Sequence, residues 1–563
     1  MLAQGNALGD LIDESGISRV IDKQLSLHHP LNLDAPPTSW TVVFLNQIAF
    51  AVQPGFASGK HNLEGTGIPH LRPMNIDREG KIDLAVVKSV VVKNDIQLEN
   101  GDILFNNTNG AELIGKTALI SSREHGFAFS NHMTKICLED HLSKSFLAKQ
   151  IHFLWMSGYF KYRCTHHVNQ ASISSKILAD TVPLLLPPIR EQTRVVEKLE
   201  ELFSDLDAGV AELKAAQKKL AQYRQSLLKA AVEGALTTKW RAKHPLSPGG
   251  RGVRGEGNKV REETGAQLLE RILIERRRRW EEKQLAKFKE QGKTPPKDWR
   301  DKYPEPVKPK TADLPELPEG WVWASVDQCA IDEYAITDGP FGSNLKSSHY
   351  TESGPRVIRL QNIGDGVFVD ARAHISDEHY HLLKKHAIVE NDVVVSMLGE
   401  ILPRACIVPS NIAPAIVKAD CARVRLNHGL LLPELLNACL NSQPTRERVG
   451  GLIKGIGRPR INLSHLRAIC VPIPSLEEQH EIVQIISVGL EAITQQIDTI
   501  GLGLRQSSAQ RQNILKAAFS GQLVPQDPND EPASILLERI RAERAARANE
   551  SKQRSGRRKA KGA

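Results

Sequence analysis

The chain has few of the features that announce chemistry. Its seven cysteines, at 137, 164, 329, 406, 421, 439 and 470, form no Cys-x-x-Cys pair and no even framework. Reduced, structural thiols and a cytoplasmic setting are therefore expected. No apolar run approaches the roughly 18 residues of a membrane-crossing helix, and no basic head precedes an apolar core at the N-terminus. Neither a membrane span nor a signal peptide is expected. His28-His29, His166-His167 and the cysteines lack metal-ligand spacing, so no metal site is expected. No catalytic constellation is visible, and no residue is assigned to catalysis. Charge of one sign is scarce as well: 74 Lys and Arg stand against 65 Asp and Glu, a net +9 over 563 residues. That excess points weakly to an acidic partner, nucleic acid first, and does not establish one.

What the chain does have is a stretch that occurs twice. One copy opens Pro188-Ile189-Arg190-Glu191-Gln192 and closes Leu227-Leu228-Lys229-Ala230-Ala231-Val232-Glu233-Gly234-Ala235-Leu236. The other opens Ser475-Leu476-Glu477-Glu478-Gln479 and closes Ile514-Leu515-Lys516-Ala517-Ala518-Phe519-Ser520-Gly521-Gln522-Leu523. Gln192 to Gln479, Lys229 to Lys516 and Gly234 to Gly521 share a shift of 287 with no gap. Each copy carries a heptad: Leu199, Leu206, Leu213, Leu220 and Leu227 in the first, Ile486, Ile493, Ile500 and Ile514 in the second. The alternate seam positions include polar Gln217, Arg224 and Arg511, with Ser507 at the place of a leucine. Two amphipathic core helices would explain part of this, but a shared register over five heptads points to two rods that pair along their length. About 45 helical residues make a rod of roughly 65–70 Å. Polar seam residues would weaken the coil and fix its register.

Between and before the rods lie two globular segments with the same order of events. Trp40 matches Trp321 at a shift of 281, and Arg72 with Asn75-Ile76 matches Arg359 with Asn362-Ile363 at 287. Asp102 before an apolar run matches Asp392. Strands are expected at Trp40–Phe44, Ala85–Val92 and Asp102–Phe105, and a helix at Ser143–Trp155. The sequence divides into an N-terminal extension (1–38), a first module (39–186), a first rod (187–237) and a charged connector (238–312). A second module (313–472), a second rod (473–524) and a basic tail (525–563) complete it. Leu-Leu-Glu-Arg-Ile at 268–272 recurs at 536–540, a shift of 268, so the connector carries about 19 extra residues. The Gly- and Arg-rich Ser247–Gly255 fits that insert and reads as disordered. Tyr303–Pro309 reads as a linker, and the segment from Arg539 on as a fraying basic helix.

Gly110-Ala111-Glu112-Leu113-Ile114-Gly115-Lys116-Thr117 matches the Walker-A pattern. A P-loop needs a helix opening at the lysine, and here the following apolar run is short and its repeat partner, Glu400–Ala405, lacks Gly-Lys-Thr. A hairpin turn carrying an exposed base, Lys116 matched by Arg404, is the better account. Asp338-Gly339-Pro340-Phe341 glances at the Asp/Asn-Pro-Pro-aromatic loop of amino-methyltransferases, but without a Gly-rich donor motif it reads as a glycine turn. Glu281-Glu282-Lys283 reads as a solvated face, not a nuclease motif.

Polar and basic residues gather at comparable places in the modules. They are Arg72, Asn75, Asn107, Asn109, Lys116, Lys161, Arg163, Asn169 and Gln170 in the first. In the second they are Asn344, Lys346, Arg359, Gln361, Asn362, Arg404, Lys454, Arg458 and Arg460. These types can contact base edges or phosphates, although most surface polar residues do neither.

Taken together, the helix-start and helix-end signatures and Asp338-Gly339-Pro340-Phe341-Gly342-Ser343-Asn344-Leu345-Lys346 resemble the specificity subunit of type I restriction–modification enzymes. The resemblance covers about residues 40–545. It implies an α+β chain with a pseudo-two-fold internal repeat, in which two similar α/β target-recognition domains alternate with two long helices paired as an antiparallel coiled coil. It also implies a non-catalytic DNA reader of a bipartite site in a phage-defence system. Two methyltransferase subunits and restriction subunits would be its partners, with S-adenosylmethionine, ATP and Mg²⁺ on those partners and no cofactor on this chain. In the first module the counterpart of Gly339–Ser343 is only Pro54-Gly55-Phe56-Ala57-Ser58, which leaves the match of Lys60 to Lys346 open. A stand-alone DNA methyltransferase would need the absent donor motif, and a dimeric coiled-coil regulator would need only one reading module.

Overall fold

The computed structural model describes residues 29–58, 61–91, 96–168, 170–246, 263–412, 414–451, 453 and 459–560. The Ser247–Gly255 piece and the N-terminal extension as far as residue 28 lie outside them. Four helices frame the chain: α1 (Ile189–Val232), α2 (Gly265–Glu290), α3 (Leu476–Phe519) and α4 (Ala533–Ala560). α1 and α3 each have 44 residues, close to the length read from the repeat. Among the described residues no helix is long and apolar enough to cross a membrane.

The chain forms two compact units, Met1–Lys214 with Gly501–Ala563, and Ala215–Ile500. Each unit holds one globular module, the opening half of one long helix, the closing half of the other, and one of the two shorter frame helices.

In the first unit a four-stranded antiparallel sheet runs in the order Ala49–Pro54, Met133–Leu138, Ile103–Asn106, Thr117–Leu119. A three-stranded sheet sets Ile68–Leu71 between antiparallel Lys88–Val90 and parallel Ala128–Phe129. Thr41–Phe44 pairs with Pro183–Leu186, bringing the module's two ends together. Helix Lys144–Met156 covers the first sheet, its opening capped by the Ser143 hydroxyl, which accepts from Phe146 N at 3.3 Å. The core joins module and frame: Phe519 of α3 stands edge-on to Phe146 at 5.3 Å, while Leu199 of α1 and Leu536, Leu537 and Ile540 of α4 are buried in the same cluster.

The second unit repeats this plan. Its four-stranded sheet runs Ile336–Asp338, Cys421–Val424, Val393–Ser396, Arg404–Ile407. Tyr350–Ile358 pairs in parallel with Ala415–Val417, and Val322–Ser325 pairs with Cys470–Ile473. Leu268, Leu269 and Ile272 of α2 enter its core as their repeats in α4 enter the other. All seven cysteines are unpaired and buried.

The repeated signatures are docking residues. In the first unit the Trp40 indole donates to Glu191 at 3.0 Å; in the second the Trp321 indole donates to Glu478 at 2.9 Å. Gln192 donates to Pro187 O and accepts from Ser143 N, and Gln479 does the same with Pro474 O and Leu432 N. Each Glu-Gln pair thus fastens a module to the helix that follows it. Gly234 and Gly521 terminate the helices with φ of 74° and 72°, where a side chain is strained. A Cβ there would lie 2.5 Å from Pro318 Cγ and Pro37 Cγ respectively, so the turn also needs glycine for space. Arg544 of α4 donates to Asn46 O and Ala49 O, and its repeat Arg276 of α2 donates to Asp327 O. The frame helices therefore close the last carbonyls of equivalent short helices, Leu45–Ile48 and Val326–Cys329.

Within each unit the long helices run antiparallel. In the first, Leu213 abuts Gly503 while Asp207 pairs with Arg511; in the second, Leu227 abuts Gly489 while Thr237 bonds Glu478. Of the expected seam, Leu199, Leu227, Ile486, Ile493 and Ile500 are buried and Leu206, Leu213, Leu220 and Ile514 are half-buried. Gln217 is exposed, not part of a seam. Arg511 stacks over Phe203 at 4.3 Å from the ring centre and pairs with Asp207, which also takes Lys81 at 2.8 Å. Burial alone would raise the Asp207 carboxyl, but Lys81 and Arg511 hold it below the usual range. Arg224, the repeat of Arg511, reaches instead to Asp365 of the second module, beside Arg446. Tyr303–Pro309, expected as a linker, is pinned to the second module: Val307 N donates to Asp327 at 2.9 Å and Val307 O accepts from Ser325.

Candidate nucleic-acid interface

Matching loops carry the candidate residues in the two modules. After strand Ile68–Leu71 the chain turns through Pro73–Asn75; after Tyr350–Ile358 it turns through Leu360–Asn362. Asn75 is buried, accepts from Arg72 N at 2.9 Å and donates to Asp83 O and Val86 O. Asn362 is buried, accepts from Arg359 N at 2.9 Å and donates to Val369 O and Ala371 O. Both amides spend their hydrogen bonds on their own loop, so they brace it and do not face outward. What the turn presents instead is Met74, 55% exposed, in one module and exposed Gln361 in the other. These two stand at the same repeat position. The shift of 287 pairs them, and sequence reasoning passed over Met74 because it looked for polar types alone. Arg72 and Arg359 flank the turns half-buried, Arg359 donating to Ala371 O and Arg372 O.

The Walker-like stretch is a turn between strands. Thr117–Leu119 follows it as a β-strand, so no helix N-terminus faces its glycines. The expected exposure of Lys116 is corrected: the side chain is buried and donates to Ile76 O, and burial lowers its ammonium below the usual range. Arg404 is half-buried and donates to Leu360 O at 3.3 Å. The two bases therefore tie their turns to the bracing loops. Asn107 is buried too, donating to Asn131 O and to Thr134 Oγ1 at 2.9 Å, and half-buried Asn109 accepts from Gly110 N at 2.8 Å.

Thr165–His166 and Ala171–Ser172 form a hairpin added to Thr108–Asn109. Its surface holds Gln170, Val168 at 99% exposure and, just before it, Tyr162 at 74%. Lys161 is paired with Glu112 at 2.6 Å, and the Arg163 guanidinium lies 4.0 Å from the Tyr159 ring centre. In the second module Arg460 bridges Leu398 where Ser172 pairs with Thr108. Arg460 is ion-paired to Asp420 at 2.5 Å and lies 5.7 Å from the centre of the Phe341 ring, itself half exposed. Asn344 and Lys346, farther along the chain from Phe341, are exposed. Asn169, Lys454, Arg458 and Lys60 lie outside the described residues.

Gly55 and Gly339 are the structural equivalents, correcting the alignment of Gly55 with Pro340. Gly55 N donates to Met133 O and Gly339 N to Cys421 O, on matching strand ends. A Cβ on either would fall 2.1 Å from backbone, against Phe129 O and the Lys418 carbonyl carbon. Pro340 is then an extra residue ahead of Phe341. Beyond Gly55 the first module packs Phe56 against His70, whose Nδ1 lies 3.3 Å from His61 Nε2. Burial pushes His70 down to about 4, with the charges of His61 and Arg72 adding to it, so this cluster is neutral at pH 7.

Residues 37–215 and 374–499, together more than half of the chain, match the family model for the type I restriction modification DNA specificity domain. The specificity subunit of the type I restriction enzyme EcoBI of Escherichia coli is 27% identical over 396 residues, 68% of each chain. That of EcoDI, also of Escherichia coli, is 25% identical over 383 residues, covering 65% of this chain and 69% of its own. A solved structure concerned with complex assembly and conformational transition of the type I R-M system aligns over 87% of this chain and all of its own. Its TM-score is 0.54 at 15% identity, a likeness of fold. The chain belongs to the type I restriction–modification DNA specificity family and is a specificity subunit, the member that binds DNA by sequence.

Proposed function

We propose that each module reads one half of a bipartite duplex site, that the paired helices set the gap between the halves, and that the chain docks two methyltransferase subunits. The observation that carries this is the contrast between the modules. Their docking residues are the same, Trp with Glu and Gln, while their residues at equivalent points differ: exposed Met74 against exposed Gln361, and half-buried Ser172 against exposed Arg460. A glutamine amide suits the paired donor and acceptor of adenine in the major groove, a methionine an apolar contact such as the thymine methyl, and a guanidinium guanine or phosphate. On this reading Arg72, Arg359, Gln361, Gln170, Asn344, Lys346 and Arg460 lie at the interface, and Asn75, Asn107, Asn362 and Lys116 shape it from behind. S-adenosylmethionine serves the methyltransferase partners, and ATP with Mg²⁺ the restriction subunits.

The test replaces residues 40–186 with the first module of another family member and sequences the methylated sites of the host. One half of the site should change while the other stays. Gln361→Ala should cost about 1–3 kcal/mol of discrimination at one base pair, roughly fivefold to 150-fold, and little elsewhere. If the module exchange alters both half-sites together, independent reading is wrong.

A further inference from the structure

The turns that present Met74 and Gln361 each lead into a hairpin that reaches a long helix, and the two hairpins reach it with different residues. In the first unit Pro73–Asn75 runs into a hairpin closed by the bridge of Ile76 with Ile82. From it Lys81 pairs with Asp207 of α1 at 2.8 Å, and Asp207 is shared with Arg511 of α3. In the second unit Leu360–Asn362 runs into a hairpin closed by Ile363 with Phe368. At its tip Asp365 takes Arg224 of α1 at 2.7 Å and Arg446 of its own module. Gly366 beside it has φ of 81°, and a Cβ there would lie 2.7 Å from Arg224 Nη2, so the tip is shaped to admit the guanidinium.

Both ties are triads, a carboxylate between two cations, and one cation is the arginine common to the repeat, Arg511 or Arg224. The carboxylate is not common. At the shift of 287 Asp207 is matched by Thr494 and Asp365 by Arg78. The acid therefore stands on the rod in one unit and on the module in the other. Descent from one ancestral copy explains the Trp-Glu-Gln docking, where the same residues recur. A contact kept by residues that have changed sides points to selection on the contact itself.

Stability is a poor reason for such selection. The Lys81 side chain is 64% exposed and that of Asp365 45%, and ion pairs so open add little to folding. Leverage is a better one. Gln192 and Gln479 fasten each module near the start of a helix, and the ties lie far along it. Asp207 stands 15 residues beyond Gln192, while Leu227 abuts Gly489, ten residues beyond Gln479, and Arg224 is about one turn farther still. At about 1.5 Å per residue both ties lie about 20 Å from the docking point. Packing does not close that span in the first unit, where Lys81, Phe203, Asp207 and Arg511 line a cavity of about 370 Å³. A module pivoting by roughly 10° about its docking residues would displace a turn about 20 Å away by about 3.4 Å, the rise of one base pair.

We propose that the two triads make the gap of the DNA site single-valued: each holds its turn against a rod, so the module cannot swing to accept a half-site one base pair nearer or farther. This rests on the reading of the chain as two modules on gap-setting helices. Asp365 and Lys81 are positioning residues, and the choice of base stays with the turns.

The test compares the full chain with Asp365→Asn, which leaves two guanidinium groups facing a neutral amide, and with Lys81→Met, which frees the first hairpin and leaves Asp207 to Arg511. Binding is followed by fluorescence anisotropy on duplexes carrying both half-sites methylated in the host, at the parental gap and at gaps one base pair shorter and longer. A further duplex keeps the gap and changes one half-site base. A duplex of the wrong gap must break a tie to be bound, so removing the tie removes its weight from the preference. That weight is about twofold to fivefold for the exposed pair of Lys81, and about fivefold to tenfold for Asp365, whose arginines are largely buried. Asp365→Glu, which keeps the charge, should restore most of the preference, and discrimination against the changed base should stay at the parent's value in every variant. An unchanged gap preference would overturn the proposal. So would an equal loss of affinity on all duplexes, the mark of a support for folding alone, or a loss of base discrimination with the gap preference intact. A parent that binds all three gaps alike would instead sink the underlying reading that the helices set the gap, before any variant is compared.

Discussion

Glu191 and Glu478 occupy the same repeat position and bond the same tryptophan, yet the structure predicts opposite tolerance to losing their charge. Glu478 is fully buried and accepts from Trp321 Nε1 at 2.9 Å, Thr237 Oγ1 at 2.7 Å and Arg241 Nη1 at 2.6 Å. The repeat counterparts of Thr237 and Arg241 are Val524 and Pro528, so Glu191 has no such ion pair. It accepts from Trp40 and from the Gln526 amide, and burial raises its carboxyl above the usual glutamate range. Glu478→Gln keeps an acceptor oxygen for Trp321 but strands the largely buried Arg241 guanidinium. Breaking a buried pair from one side costs roughly 3–5 kcal/mol, and the retained acceptor puts this case near 3. Glu191→Gln strands no cation and removes a charge that burial disfavours, so it should cost under about 1 kcal/mol.

Because the chain has two units, a single melting temperature would blend them, and hydrogen exchange read by peptide keeps them apart. Peptides spanning 322–329 should exchange roughly 150-fold faster in Glu478→Gln, the equivalent of about 3 kcal/mol. Those spanning 41–48 should change less than about fivefold in Glu191→Gln. The pH dependence gives a second sign. Between the ordinary glutamate pKa and the raised folded value, the folded chain binds more protons than the unfolded one, so stability of the first unit falls as pH rises through that window. That slope should vanish in Glu191→Gln. Equal costs for the two substitutions, or a Glu478→Gln cost under about 1 kcal/mol, would refute the assignment of Arg241 as the difference.

Lys116→Met should destabilise the first module by about 1–3 kcal/mol, because Ile76 O loses its donor, with burial of the charge offsetting part of the loss. ATP with Mg²⁺ should not raise the thermal stability of the parent through this turn; ATP-dependent stabilisation abolished by Lys116→Met would restore the nucleotide reading. Gly234→Ala and Gly521→Ala should each cost at least about 1–2 kcal/mol for the left-handed backbone, with the 2.5 Å approach to Pro318 and Pro37 adding to it. Exchange measured separately in the two units should show each substitution loosening its own, and a neutral Gly521→Ala would mean the turn can relax away from Pro37.

The rods were legible because one-dimensional periodicity is what a long helix leaves in a sequence, and the gapless repeat fixed their ends to within a few residues. The reason for the repeat was not. Trp40 bonds Glu191 across 151 residues and Trp321 bonds Glu478 across 157, and nothing local marks those partners. The division into units was hidden for the same reason: α1 and α3 are continuous in sequence, but each gives half its length to one module and half to the other. Among the candidate contacts, residue type misled where burial decided. Asn75, Asn107, Asn362 and Lys116 are the polar types a DNA reader needs, yet the backbone, joined by the Thr108 and Thr134 hydroxyls at Asn107, takes their hydrogen bonds. The equivalence of Gly55 and Gly339 is masked in the sequence because Phe56 and Phe341 stand at different distances beyond them, whereas the constraint on each glycine is the neighbouring carbonyl.

The bracing asparagines suggest why two modules on one frame can diverge without losing their fold. An exposed loop whose shape depended on its own exposed side chains could not change what it presents without changing shape. In both modules the turn is held from inside, by an amide that accepts from the arginine three residues before it and donates to two carbonyls farther along. Met74 and Gln361 sit on that turn and contribute nothing to the brace. Substitution there leaves the buried hydrogen bonds intact, and exposed changes of that kind usually stay within about 0.5 kcal/mol of neutral. The frame contacts impose the opposite rule, because a change at Trp321 or Glu478 strands a buried partner. Selection on stability therefore holds the docking residues fixed and leaves the loop tips free, which is the pattern the repeat displays: gapless in the helices, loose in the modules.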